Sequence, residues 1–270
     1  MSDSLPKIAS SIRQRVIELS HSAGTPHLGS SLSCIDILTA LYWSVLRIDP
    51  CRPDAPGRDR FILSKGHAGL ALYVTLAERG FFPKDVLQTY NCDGGVLAEH
   101  PGPHCVPGVE AATGSLGHGL SLGVGQALAA RIKNQSYRVF VLLSDGECNE
   151  GSVWEAALMA PAQKIDRLVA IVDYNKWQAT ARSNETLNLA PLAAKWEAFG
   201  WQTCEVNGHD INALTEVLGQ VPSTSGKPLA VIAHTVKGRG VSFMEDDNNW
   251  HYRIPTKDEV RQAILELQSA

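Results

Sequence analysis

The chain has 270 residues, of which 44% are hydrophobic and 19% charged. That is ordinary globular material, enough for the core of one large domain or two small ones. A formal net charge of −4 argues against a nucleic-acid surface or a polybasic membrane anchor, and no stretch approaches the length of a membrane span.

In the first twenty residues Ile8, Ile12, Val16 and Leu19 recur at helical spacing. The segment has no continuous apolar region and no cleavage-like site, so it reads as an amphipathic helix and not as a signal peptide. Six scattered cysteines, Cys34, Cys51, Cys92, Cys105, Cys148 and Cys204, form no Cys-x-x-Cys. They fit reduced thiols in a cytoplasmic protein. From there strands and helices alternate. The apolar patterns predict a strand over 60–64 and a helix over 68–80, then a glycine-opened helix over 117–134 and a strand over 137–144. A helix over 151–163 and a strand over 167–174 follow. Last come a helix over 189–200, a strand over 201–206, a helix over 210–221 and a strand over 228–235. The strands are near-continuous apolar runs, the mark of a parallel sheet covered on both faces. The whole is an α/β, doubly wound pattern, read as a single domain over 1–270. Residues 91–113 and 236–256 are long, irregular and rich in Gly, Pro, Asn and His. In a compact domain such loops are usually functional or disordered.

Ligands of such a sheet bind beyond the carboxyl ends of its strands. "SDGECNEG" places Asp145 at one strand end, and "VDYNKWQ" places Asn175 at the next. The crossover helix between them makes the two strands parallel, so both ends face one side. A carboxylate and an amide oxygen together make a hard, oxygen-rich site for Mg²⁺ or Ca²⁺ shared with a phosphate ligand. Small Ser144 and Gly146 leave room for phosphate oxygens to reach the backbone. The alternative is that Asp145 caps the next helix and Asn175 fills a turn. Spacing alone leaves both readings open.

His27, His67, His100 and His251 each lie in a turn rich in Gly, Pro or Asn, where imidazoles can exchange protons near neutrality. The run Gly114-x-x-Gly117-x-Gly119 opens a helix and could offer N–H groups to a phosphate, but it is not a dinucleotide fingerprint. "GQVPSTSGKP" fails the P-loop spacing, and "DGECNEG" fails that of a calcium loop. His100, His104, Cys92 and Cys105 match no common zinc spacing.

Several of these segments, in this order, resemble one family. "SDGECNEG…VDYNKWQ" is similar to the thiamine-diphosphate motif, a G-D-G followed by about twenty-five to thirty residues and an Asn. "SAGTPHLGSSLS", "ILSKGHAGLALY", "EHPG", "GVEAATGSLGHGLS" and "HTVKGRGVSFME…WH" resemble successive signatures of transketolase. The likeness runs from about residue 8 to residue 255 and is to the N-terminal, pyrophosphate-binding domain, above all to that of split transketolases.

The resemblance implies thiamine diphosphate and a divalent metal, normally Mg²⁺, for which Ca²⁺ or Mn²⁺ can substitute. It implies that Asp145, Asn175 and the backbone carbonyl of Trp177 hold the metal, and that Gly146 contacts the phosphates. Gly114, Ser115 and Leu116 would lie beside the cofactor's rings. His67 and His251 would approach the diphosphate and the reacting centre, while His27 and His100 would face the donor sugar. The implied activity moves a two-carbon ketol unit from a ketose to an aldose. The alternatives are another thiamine-diphosphate reaction, such as decarboxylative condensation or dehydrogenation of a 2-oxo acid, or a non-catalytic role. The family places an essential Glu on a pyrimidine-binding domain. No residue here takes that role, so that domain and the C-terminal domain are expected on a partner chain, in an α₂β₂ assembly active on sugars or sugar phosphates. Glu150 and Glu155 match acids that in the family meet across the subunit interface; their simpler reading is as first-turn helix acids. Ser144 in place of the first Gly of G-D-G, His118 in place of a common Gln, and the "HPGPHC" run with His104 depart from the family pattern and bear on substrate choice.

Overall fold

All five apolar runs become strands. The computed structural model describes residues 4–222 and 225–269; Ser223 and Thr224 of the "GQVPSTSGKP" segment lie outside the described residues. The strands are β1 (Arg60–Leu63), β2 (Val139–Ser144), β3 (Leu168–Tyr174), β4 (Gln202–Asn207) and β5 (Leu229–His234). They form one sheet in the order β1-β2-β3-β5-β4, with every pairing parallel. β2 is buried along its whole length. β4, at one edge, is half-buried to exposed along its length, and its sequence, "QTCEVN", is the most polar of the five.

Successive strand residues point to opposite faces, and each face has its own core. Phe61, Leu63, Phe140, Leu142, Val169 and Ile171 share one cluster with α1 (Leu5–Ala23), α2 (Leu28–Ser33), α3 (Ile35–Ala40), α4 (Gly69–Arg79), α9 (Ile211–Gly219) and α10 (Lys257–Ser269). The intervening Ile62, Val141, Leu143, Ala170 and Val172 pack on α5 (Gly119–Ile132), α6 (Gly151–Ala162) and α8 (Leu192–Ala198). α7 (Ser183–Thr186) is a single turn after β3. The predicted loops over 91–113 and 236–256 hold no strand and no α-helix, only a short 3-10 turn at Asn248–His251.

Four helices escape the sequence pattern, the single turn α7 among them. α2 and α3 have six residues each, too short to display a period, and "LGSSLS" is poor in helix formers. Burial holds them, since every residue of both is buried. α10 is mostly polar and buries only Ala263 and Leu267.

At the amino end of the sheet Asp59 is fully buried and binds Arg138 twice over. It accepts from the Arg138 backbone at 2.8 Å and from its guanidinium at 2.6 Å, and it also takes Arg47 at 2.8 Å. Replacing Asp59 by Ala leaves Arg138 buried without its counter-ion. Urea unfolding should show a loss of about 3–5 kcal/mol, and a loss under about 1 kcal/mol would show that the pair is dispensable.

Candidate active site at the carboxyl edge of the sheet

The register pairs Ser144 with Asp173. Continuing it sets Asp145 beside Tyr174, one step from Asn175, so both predicted oxygen donors leave adjacent strands on the same side. Both are buried. Asp145 accepts from the Gly146 N–H at 2.9 Å and from the Ser183 hydroxyl at 2.8 Å. Burial and the nearby Asp173 push its pKa up to about 7, the Ser183 hydrogen bond opposing them. Asn175 accepts from the Trp177 N–H at 3.1 Å. The local capping and turn roles weighed for these residues therefore exist. The short turn that Asp145 caps is Gly146–Asn149, whereas α6 starts behind Glu150. A carboxyl pushed up this far by burial stands to gain from a neighbouring cation.

Trp177 pairs with Arg182 in a two-residue bridge. The bridge is closed by Gln178 N–H to Ala181 O and Ser183 N–H to Lys176 O, so it does not use the Trp177 carbonyl. Gly146 packs against Gln178, whose buried side-chain nitrogen has no partner. The carboxylate, the amide, the free amide nitrogen and the glycine backbone together suit a divalent cation carrying a phosphate.

Four imidazoles from four separate segments gather next to this edge. His27 lies 4.8 Å from His251, 5.4 Å from His67 and 6.0 Å from His100, ring centre to ring centre. His27 begins α2 with a left-handed backbone, φ 67°, and its N–H donates to the His251 carbonyl at 2.7 Å. Burial, then neighbouring His100 and Lys237, lower its pKa to about 4. Burial and Lys237 lower that of His251 to about 3, and burial with Lys65 holds His67 well below its ordinary value. These three rings are neutral at physiological pH. The 113–114 peptide lies against the turn before His67: a Cβ on Gly66 would stand 2.5 Å from the Gly114 nitrogen, so only glycine permits this approach. Gly114 in turn has φ 138° and packs on the His100 ring. Ser115 and Leu116 follow in the same turn, Ser115 exposed.

Four further charged residues of the site were not foreseen. Lys65 and Asp173 are both fully buried and pair at 2.5 Å. Lys237 donates to Asn248 at 2.7 Å and lies 3.0 Å from His251 Nδ1; burial, with Lys65 next, lowers its pKa to about 8. Glu147, also fully buried, accepts from the Gly117 N–H at 2.8 Å, the Ser144 N–H at 3.2 Å and the Ser64 hydroxyl. It ties the glycine turn to the end of β2. The signal available was a charged residue directly abutting an apolar strand, as in "ILSK" and "LLSDGE". Glu150 and Glu155 are exposed, but neither is a first-turn acid: Glu150 is the residue before α6, and Glu155 lies past its first turn. No group of three or more His, Cys, Asp or Glu side chains converges as a metal site among the described residues. Cys92 and His104 are exposed and Cys105 contacts Tyr73, so the rejected zinc cluster does not form.

Residues 5–267 match the family described as transketolase, thiamine diphosphate binding domain. The chain belongs to the transketolase family. It is 42% identical over 255 residues to an apulose-4-phosphate transketolase subunit from Phocaeicola vulgatus, covering 94% of this chain and 90% of that one. It is 39% identical over 260 residues to a 6-deoxy-6-sulfo-D-fructose transketolase subunit from a Clostridium species, covering 96% and 94%. Among solved structures, a transketolase from Pichia stipitis superposes with a TM-score of 0.92 at 28% identity, and one from Leishmania mexicana with 0.93 at 26%. This chain spans 41% and 42% of those two longer chains. The protein is thus a thiamine-diphosphate-dependent enzyme of the transketolase family. No helix among the described residues is long and apolar enough to cross a membrane.

The neutral histidines carry a stability signature. Unfolded imidazoles take protons near pH 6.5, whereas folded His251 and His27 resist until about 3 and 4. Their contribution is complete above pH 6.5 and is lost as pH falls below it. Asp145 acts in the opposite sense, so the test is a difference. Between pH 7 and 5, His251→Phe should lose fewer degrees of melting temperature than the parent chain; equal losses would contradict the assignment.

Proposed function

We propose that this chain is the diphosphate-binding subunit of a two-subunit transketolase that moves a two-carbon ketol unit from a ketose to an aldose. The observation that carries the reading is the meeting of four imidazoles, three of them held neutral, beside the Asp145–Asn175 edge. Asp145, Asn175 and the Trp177 carbonyl would hold Mg²⁺. The Gly146 backbone, Gln178, Lys237, His67 and His251 would hold the diphosphate, and Gly114, Ser115 and Leu116 would line the ring end. When bound, thiamine diphosphate supplies the electron sink on which the two-carbon unit is carried. The histidines handle the protons. A neutral His27 can accept the proton of the donor's C3 hydroxyl as the C2–C3 bond breaks, and a neighbouring ring N–H can stabilise negative charge at the C2 oxygen.

A partner chain follows from the same reading. Two of the similar relatives are named as subunits, and no residue among those described is assigned the role of the acid that acts on the cofactor's aminopyrimidine. Leu122 on α5 and Leu158 and Met159 on α6 are exposed apolar residues. With Glu150 and Glu155 they form a face for subunit contact in an α₂β₂ assembly. The substrates are sugars or sugar phosphates, branched and sulfonated ones included, by analogy with the named relatives. The 2-oxo acid alternative fits less well, because it calls for a cation facing the substrate carboxylate, where this reading gives Lys237 to the diphosphate and leaves neutral rings. The reading places the protein in the cytoplasm.

The test is a ketol-transfer assay with thiamine diphosphate and Mg²⁺, run on this chain alone and mixed with a C-terminal transketolase subunit encoded beside it. Activity should appear only in the mixture. Activity of the chain alone would overturn the two-subunit reading. In the assembled enzyme Asp145→Ala should weaken Mg²⁺-dependent cofactor binding by at least about 100-fold, the upper end of what losing a supporting partner alone costs. Unchanged affinity would remove Asp145 from the metal site.

A further inference from the structure

One carboxylate stands among the imidazoles. Glu99 Oε1 lies 3.4 Å from His27 Nε2, with the Glu99 side chain 31% exposed and that of His27 14% exposed. Asp145, Asp173 and Glu147 are sealed behind the sheet edge; Glu99 is on the open side of the cluster. Its position is fixed by close packing. A Cβ on Gly69 would stand 2.9 Å from the Glu99 carbonyl oxygen and 3.0 Å from Pro101. The Pro101 carbonyl accepts from the Thr113 N–H at 3.2 Å, and the next ring, His100, packs on Gly114. The 99–101 segment is thus clamped between the start of α4 and the glycine turn.

This placement sets the charge of the wall. Glu99 is a partly exposed carboxylate beside His27, and a carboxylate only accepts hydrogen bonds. A sugar hydroxyl can donate to it, whereas a substrate carboxylate brings only further acceptors and a like charge.

We propose that Glu99 is a specificity-determining residue, which admits a hydroxyl-bearing ketose at the His27 side of the site and excludes the carboxylate of a 2-oxo acid. The inference rests on the transketolase reading above and narrows its substrate class to donors that are uncharged beside the reacting carbon. Charge carried at the far end of the sugar, on a phosphate or a sulfonate, lies outside its reach.

The experiment compares the parent and Glu99→Gln, each assembled with the C-terminal subunit. Donors are a ketose phosphate and a hydroxylated 2-oxo acid, and glycolate serves as a non-reacting carboxylate inhibitor. The amide keeps the size and one acceptor oxygen while removing the charge. The ratio of kcat/KM for ketose over 2-oxo acid should fall about tenfold, and glycolate should inhibit about tenfold more tightly. Equal losses on both donors with unchanged glycolate inhibition would mean a structural role only and would overturn the proposal. A parent enzyme that prefers the 2-oxo acid would overturn it as well. A parent that transfers no ketol unit from any ketose would sink the functional reading itself, whereas normal ketol transfer with an unmoved ratio sinks Glu99 alone.

Discussion

The buried ion pair of Lys65 and Asp173 is the interaction on which the site depends. Asp173, next to the last residue of β3, takes three side-chain donors at once: Lys65 just past β1, Ser33 of α2 at 2.6 Å and Thr235 just past β5. Lys65 also donates to the Ser30 carbonyl at 2.9 Å. Several segments that bear site residues leave from these anchors. His67 follows Lys65, Asn175 follows Asp173, Lys237 follows Thr235, and α2 starts at His27. Sealing two full charges costs several kcal/mol of hydration, and the pair recovers this only with good geometry and extra hydrogen bonds. An apolar replacement would pack as well but would fix nothing in direction.

The same pair contributes to the electrostatics around it. Lys65 is among the causes that depress His27, His67, His251 and Lys237, while Asp173 helps raise Asp145. Burial is the largest cause in each case, and the pair adds to it on both flanks. Neutral imidazoles suit proton transfer near neutrality. The raised pKa leaves Asp145 with the most to gain from a cation.

The sheet was legible because burial on both faces writes a continuous apolar run, and β1, β2, β3 and β5 have one. The meeting of Asp145 and Asn175 at one edge was legible because the crossover helix between their strands makes the two strands parallel. Lys65, Asp173, Glu147 and Lys237 were not, since each has its meaning only through partners from distant parts of the chain: 108 positions separate Lys65 from Asp173. Glu99 was quoted in a motif without a role, because nothing local says that His27, on another segment, will stand beside it. α2 and α3 were lost for a different reason. Their helical state comes from tertiary burial and not from local preference.

Asp246 joins two loops that are far apart in sequence. It accepts from the Trp177 indole at 2.8 Å and binds Arg182 at 2.6 Å, and the Arg182 guanidinium lies 3.7 Å over the Trp177 ring. Asn248, which holds Lys237, also donates to the Ala179 carbonyl at 3.1 Å. Exposed pairs of this kind add little to folding stability. Their effect is felt in binding. The loop after β3 and the loop after β5 are already ordered against each other, so a ligand gripped by both meets a cradle whose entropy was lost when the chain folded. Loosening that surface clasp would leave the fold intact and every site residue in place, and would still slow the capture of anything that needs both loops at once.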